Sequence, residues 1–269
     1  MSRRGGFALG LVAVLLALGL VVALFPANWV AQWVAGRSAG RVLLGDARGT
    51  LWAGSAVLGF QDEGGAAMAL PGRLVWRLGL AGPATVHLEL EHAGVLAAPV
   101  AVRLALRLAG GAGEHVELEV GPGAAQLPLG LLAAAGAPFN SLRPEGQARL
   151  RWDTLGLAAG RPRGQGSVDF ERLSLALSPV RPLGDYRLGW DLGGDGLRWT
   201  LGTLTGALRL QGKGAWSWVD GVRFAGAAAP DTGIAPELAR QLQTLLDVLG
   251  PRDGAGVRIR IGAGAERLT

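Results

Sequence analysis

Nineteen consecutive residues without a polar side chain, Phe7 to Phe25 (FALGLVAVLLALGLVVALF), constrain this chain more than any other feature. As a helix rising 1.5 Å per residue the stretch is about 28 Å long, close to the ~30 Å hydrocarbon core of a bilayer. A secretory signal has a shorter apolar region, about 7 to 15 residues, and ends at a small-residue cleavage site. Here the run ends in Phe25, and Trp29 and Trp33 follow, with Asn28 and Gln32 interspersed among the three aromatic residues. Such aromatic residues suit the membrane–water interface. The stretch reads as an uncleaved single-pass anchor.

Arg3 and Arg4 precede the apolar run, and no charge follows it before Arg37. The positive-inside rule then keeps the N-terminus in the cytoplasm and puts the remainder outside it, in the periplasm of a Gram-negative cell. Leu127 to Ala137 is too short for a second crossing and is interrupted by Pro128. The expected organisation is a cytoplasmic tail over 1–6, an anchor over 7–25, a juxtamembrane linker over 26–44 and a periplasmic domain over 45–269. The inner-membrane bilayer is the first expected partner.

Beyond the anchor, the pattern is that of strands. Val100, Val102, Leu104, Leu106 and Leu108 alternate with Ala101, Arg103, Ala105 and Arg107, a period of two that marks a half-buried strand. On either side, Val86, Leu88 and Leu90 alternate with His87, Glu89 and Glu91, and Val116, Leu118 and Val120 with His115, Glu117 and Glu119. An antiparallel meander of the three gives a wet face that runs acidic, basic, acidic, which favours cross-strand pairing. The same arrangement accounts for the two His-x-Glu-x-Glu patterns as solvated ion-pair faces, because an intervening arginine strand repels a metal cation.

Further strands are expected at 73–80, 148–152, 168–177, 186–192, 197–201, 206–212 and 257–261, with turns rich in Gly, Pro and Asp between them. A helix is expected from Pro236 to Leu249, where Leu238, Leu242, Leu245, Leu246 and Leu249 share one face and Gly250-Pro251 stops it. A weaker one is expected from Leu127 to Ala135. Each helix precedes a strand of the form glycine, then alternating arginine and apolar residues. That repetition suggests two related halves, 45–155 and 163–262, joined by Arg161 to Gln165. The fold class is mainly β: a transmembrane helix followed by a strand-rich antiparallel domain with one or two short helices.

Chemistry finds little to hold on to. There are no cysteines, so thiolate metal sites and cysteine nucleophiles are excluded. The net charge of +5 is almost wholly arginine, Lys213 being the only lysine, and the basic residues are scattered. A nucleic-acid surface needs them clustered with aromatic platforms between, so no nucleic-acid partner is expected. Gly36-Arg37-Ser38-Ala39-Gly40 matches the G-x-S-x-G nucleophile elbow, but no strand precedes it, and it reads as flexible linker. Gly212-Lys213-Gly214 lacks the rest of a phosphate loop. No catalytic, cofactor or metal residues are assigned, and the chain is not expected to be an enzyme.

One motif stands out. In Gly45 to Phe60, GDARGTLWAGSAVLGF, Gly49 and Gly54 flank Thr50 and Trp52. With Trp52, Gly54, Ala56, Leu58 and Phe60 on one face, it reads as the first strand of the domain, its glycines leaving room for a ring or a neighbouring strand. Gly49-Thr-Leu-Trp-Ala-Gly54, then Gly72-Arg-Leu-Val-Trp-Arg-Leu78, Leu183-Gly-Asp-Tyr-Arg-Leu188, Leu204 to Trp216, and the terminal Leu249-Gly-Pro with Gly256-Val-Arg-Ile-Arg-Ile261 together resemble the type II secretion system protein N family. The specificity lies in the order of these segments across nearly the whole chain.

The resemblance implies a bitopic inner-membrane protein with a periplasmic β-rich domain, a non-enzymatic accessory of the machine that exports folded proteins through an outer-membrane secretin. Partners would be the secretin or the inner-membrane platform. Gly49, Thr50, Trp52 and Gly54 are the candidate structural or interaction residues, and Trp29 and Trp33 the interfacial anchors. The alternative function is a lipid- or hydrophobe-binding module, if the apolar sheet face stays open as a groove instead of closing into a core.

Overall fold

A computed structural model describes residues 24–61, 65, 67–109, 113–135, 139–194 and 196–265. The stretch read as an anchor, 7–25, lies outside these except for Leu24 and Phe25. Among the described residues no helix is long and apolar enough to cross a membrane.

The chain begins with helix α1 (Ala27–Arg37) and then turns into strands β1 (Val42–Gly49), β2 (Ala53–Gln61), β3 (Ala67–Ala69), β4 (Leu74–Gly82), β5 (Thr85–His92), β6 (Val100–Ala109), β7 (Gly113–Val120) and β8 (Gly123–Pro128). A 3-10 turn (Leu129–Ala135) and a one-turn helix α2 (Phe139–Leu142) lead to β9 (Glu145–Trp152), β10 (Leu155–Ala158), β11 (Arg161–Ser174), β12 (Gly184–Gly193), β13 (Gly196–Gly206), β14 (Leu208–Ser217) and β15 (Gly221–Pro230). Helices α3 (Pro236–Gln241) and α4 (Gln243–Leu249) precede β16 (Arg252–Asp253) and β17 (Gly256–Ile261). The mainly β, antiparallel reading is what the structure has, with short helices among the strands.

All strands belong to one antiparallel sheet. It is a meander in which neighbours in sequence are neighbours in space. β7 and β8 lie end to end as one line across the sheet, and β9 with β10 as the next, because Val120 opposes Leu155 and Gly123 opposes Trp152. At both joints the alternation slips by one residue, from Val116, Leu118 and Val120 to Gly123, Ala125 and Leu127. The two slips match, so the apolar residues stay on one face throughout. Among the described residues the strands at the two ends of the sheet, β1 and β16, pair on one side only, so the sheet is open.

Leucine, valine and tryptophan crowd one face because alternation puts every second residue there. Its best-covered part lies under α3, α4 and the 175–183 segment, where Tyr186, Leu208, Ala228 and Val257 pack against Leu242, Leu245 and Leu246. The Tyr186 hydroxyl donates to the Leu208 carbonyl at 2.9 Å, which satisfies its only polar atom. Burial raises the Tyr186 pKa, so the hydroxyl stays protonated. A second, smaller core joins Ala27 of α1 to Ala56 and Trp76.

The opposite face is polar, and part of the expected charge ladder forms on it: Arg103 of β6 meets Glu119 of β7 at 3.6 Å, while on the β5 side Arg103 faces His87 and Glu89 is paired instead with Arg77 of β4 at 3.3 Å. His92 continues the apolar series of Val86, Leu88 and Leu90 and is buried, with Nδ1 3.1 Å from the Ala93 carbonyl.

Several expectations are corrected. The linker read over 26–44 is a helix and the start of a strand, because Ala27 buries against the sheet and β1 pairs with β2. Leu127 to Ala135 is not an α-helix: its first residues end β8, held by β9, and the rest is 3-10. The 236–249 helix is interrupted at Leu242. Arg161 to Gln165, read as a joint between halves, opens β11. There 161–163 pair with β10, and from 164 onward the strand pairs with β12.

Candidate functional site

The Gly49–Gly54 motif is not one strand but the turn between β1 and β2. Gly49 adopts φ +86, and a Cβ there would sit 2.4 Å from the Ala53 carbonyl oxygen, so only glycine closes this hairpin. Thr50 donates its N–H to the Ala53 carbonyl at 2.9 Å, and its Oγ1 accepts from the Ala53 N–H at 3.2 Å. Trp52 is half-buried in the turn, and its carbonyl accepts the Leu78 N–H at 2.6 Å.

The turn is a junction for three parts of the chain. From β4, the Trp76 indole N–H is shared by the carbonyls of Thr50 at 3.2 Å and Leu51 at 3.1 Å. The ring occupies the space that a side chain at Gly54 would need. From the N-terminal side, Pro26 bridges to Thr50 and the Leu51 N–H donates to the Phe25 carbonyl at 2.7 Å. The last residues of the apolar segment are therefore tied directly to the Thr50–Leu51 backbone. Sequence reasoning found Gly49, Thr50 and Gly54 but missed Trp76 as their partner; a glycine-flanked turn close to an alternating tryptophan was its only trace.

Trp29 and Trp33, one helical turn apart on α1, are 59% and 63% exposed. Phe25 packs on Trp29 with ring centroids 5.7 Å apart, and the Arg37 guanidinium lies 5.6 Å from the Trp33 centroid. Near the turn, Asp46 is held between Arg73 at 2.8 Å and Arg48 at 2.9 Å, which lowers its pKa, Arg73 foremost. On the far part of the polar face, Asp169 is almost fully buried beneath Arg187 at 2.6 Å and Arg151 at 3.2 Å. The Arg187 hydrogen bonds hold the Asp169 carboxyl below the usual range.

These charge clusters are structural ladders. Among the described residues no group of three His, Cys, Asp or Glu is placed to hold a metal ion. Ser38 ends α1: its Oγ lies 3.3 Å from the Ala35 carbonyl and accepts the Val42 N–H at 3.0 Å. A helix before the serine and a strand after it reverse the strand-to-helix order of a nucleophile elbow.

The apolar face has a feature the sequence did not disclose. Gly123, Trp152, Gly166, Trp190, Trp199, Gly214, Phe224 and Ile261 form one cross-strand row from β8 to β17. Each tryptophan ring lies over the bare backbone of a glycine on the adjacent strand. These tryptophans are half-buried, lying beyond the rows at the centre of the helix-covered core. On the first half of the sheet the same face leaves Leu80 69%, Leu106 52% and Val116 45% exposed.

The family model described as type II secretion system (T2SS), protein N, matches residues 40–260 of the chain. No curated protein and no solved structure matches it.

Proposed function

The chain belongs to the type II secretion system protein N family, and we propose that it serves type II secretion as a non-enzymatic accessory component anchored in the inner membrane. Residues 1–6 are the cytoplasmic tail, 7–25 the span and 45–269 the periplasmic domain, which meets the secretin or the inner-membrane platform. Support comes chiefly from the junction at Thr50, where the end of the apolar segment is bonded to the sheet and Trp29 and Trp33 stand exposed beside it. A tether bonded in this way fixes the domain at the membrane surface.

In-cell crosslinking from the polar face tests this. A photo-reactive residue at Arg103, whose side chain is 58% exposed, is expected to capture the secretin or a platform protein. Capture of nothing from the secretion apparatus at Arg103 and at comparable wet-face positions removes the assembly role.

A second reading, a lipid- or hydrophobe-binding groove, is favoured by the single-layered sheet with Leu80, Leu106 and Val116 uncovered. Native mass spectrometry of the protein extracted in mild detergent is expected to find bound lipid in that case. A ligand-free spectrum decides against it.

A further inference from the structure

We propose that the β14–β15 turn is a second membrane contact. Trp218 and Val219 enter the interfacial layer of the same bilayer that holds the N-terminal segment, with Arg198, Lys213 and Arg260 attracted to anionic lipid phosphates. The inference rests on the anchored reading given above.

Hairpin turns are ordinarily built of Gly, Asn, Asp and Ser, yet this one presents Trp218 at 84% and Val219 at 93% exposure. Val222 and Ile261, 51% and 53% exposed, extend the apolar tip onto the adjoining strands. Trp216 supports Trp218 edge-on at 4.6 Å, and the Ser217 hydroxyl accepts the Asp220 N–H at 3.0 Å. The turn is therefore held in shape while its two apolar side chains face solvent. Tryptophan beside an aliphatic side chain is the composition that favours the headgroup level of a bilayer.

Charge points to the same occupant. On the polar face behind the tip, Arg149, Arg151, Arg187, Arg209 and Arg258 are each matched by a carboxylate. Among the described residues Arg198, Lys213 and Arg260 are in no ion pair, and Asp191, opposite Arg198 in register, does not close one with it. Lys213, opposite Ala225, shares its row with Arg260. These side chains line two adjoining clefts of about 650 and 460 Å³ that share Thr200 and Lys213. Arg198 lies opposite Ala215, three residues back from Trp218, or about 10 Å along the strand, and Lys213 about 16 Å. Arg198 reaches phosphates directly, and the other two act within about two Debye lengths.

Topology supplies the choice of membrane. In the meander the β1–β2, β4–β5, β10–β11, β12–β13 and β14–β15 turns all fall at one margin of the sheet. The chain joins the sheet from its apolar segment at Thr50, in that same margin.

The chain has no cysteine, so Val219→Cys carries a single environment-sensitive fluorophore, and Val248→Cys, at a position 66% exposed on α4, serves as control. The full chain is reconstituted into phosphatidylethanolamine–phosphatidylglycerol vesicles with brominated acyl chains. The expected result is blue-shifted emission and quenching about threefold stronger at position 219 than at 248, reduced at least about twofold when Arg198, Lys213 and Arg260 are replaced by glutamate. Equal quenching at the two positions overturns the inference. So does quenching that appears only when the brominated lipid is in separate, added vesicles, or a blue shift that vanishes on dilution of the protein within the membrane. Alkali-resistant flotation of the same vesicles reads the anchor independently. A chain that floats with a water-exposed label overturns the tip contact alone, and a chain that does not float removes both readings.

Discussion

The ring of Trp76 occupies the place of the missing side chain of Gly54: a Cβ there would lie 2.4 Å from the indole Cζ2. The two residues are cross-strand partners on β4 and β2. The contact lets the indole N–H reach the Thr50 and Leu51 carbonyls, so the glycine determines whether the turn can hold the chain arriving from Phe25.

Gly54→Ala is therefore expected to destabilise the domain by about 1–3 kcal/mol, since the Arg48 carbonyl lies 2.8 Å from the same Cβ and the backbone has nowhere to move. Trp76→Phe keeps most of the packing but removes the shared donor, at a cost of about 1 kcal/mol. Urea unfolding followed by circular dichroism measures both, and a Gly54→Ala midpoint equal to that of the parent refutes the contact.

Two glycines on neighbouring strands make an internal comparison. A Cβ at Gly214 would fall 2.0 Å from Cε2 of Trp199, whereas at Gly202 nothing lies within 4 Å. Gly214→Ala is expected to lower the thermal midpoint markedly, and Gly202→Ala to leave it unchanged or raise it, by about 0.4–1 kcal/mol of reduced chain entropy in the unfolded state. The reverse order would mean that the tryptophan row is not packed as described.

Asp169 carries a pH dependence. Its folded pKa is lowered by Arg187, so its contribution is fully present above the unfolded value of about 3.9 and is lost as the pH falls through the lowered folded value. Asp169→Asn is expected to lose about 1–2 kcal/mol at neutral pH, discounted because both arginines are half-exposed. Its stability should then fall less steeply than the parent's below about pH 4. Parallel acid titrations of the two proteins would expose an error here.

Ser38→Ala removes the acceptor for the Val42 N–H and is expected to cost about 1 kcal/mol. Secretion should be unaffected. A secretion defect with normal protein abundance would reopen the nucleophile-elbow reading of Ser38.

The meander of β5, β6 and β7 was legible because apolar and charged residues alternate there without a break. The β1–β2 turn was hidden by the same logic: Trp52, Gly54, Ala56, Leu58 and Phe60 continue an even alternation past the corner. Only the positive φ of Gly49 marks that corner, and sequence does not display it. In β1 a bulge between Gly45 and Arg48, with Asp46 at φ 46, disrupts the period. β15 went unnoticed because Ala225 to Ala229 offer no contrast between faces. The tryptophan row depends on register across many strands, and no single segment contains it.

A sheet built by adding each strand to the one before it has, at every stage of its growth, a single unfinished edge waiting for the residues that come next. If the domain crosses the membrane as proposed, with the residues after the anchor emerging first, assembly follows the order of arrival. The Thr50 corner and its hold on Phe25 need only the strands up to β4, and each later hairpin closes against a template already in place. α3, α4 and β17 fold back over earlier strands, so completing the cover of that core comes late.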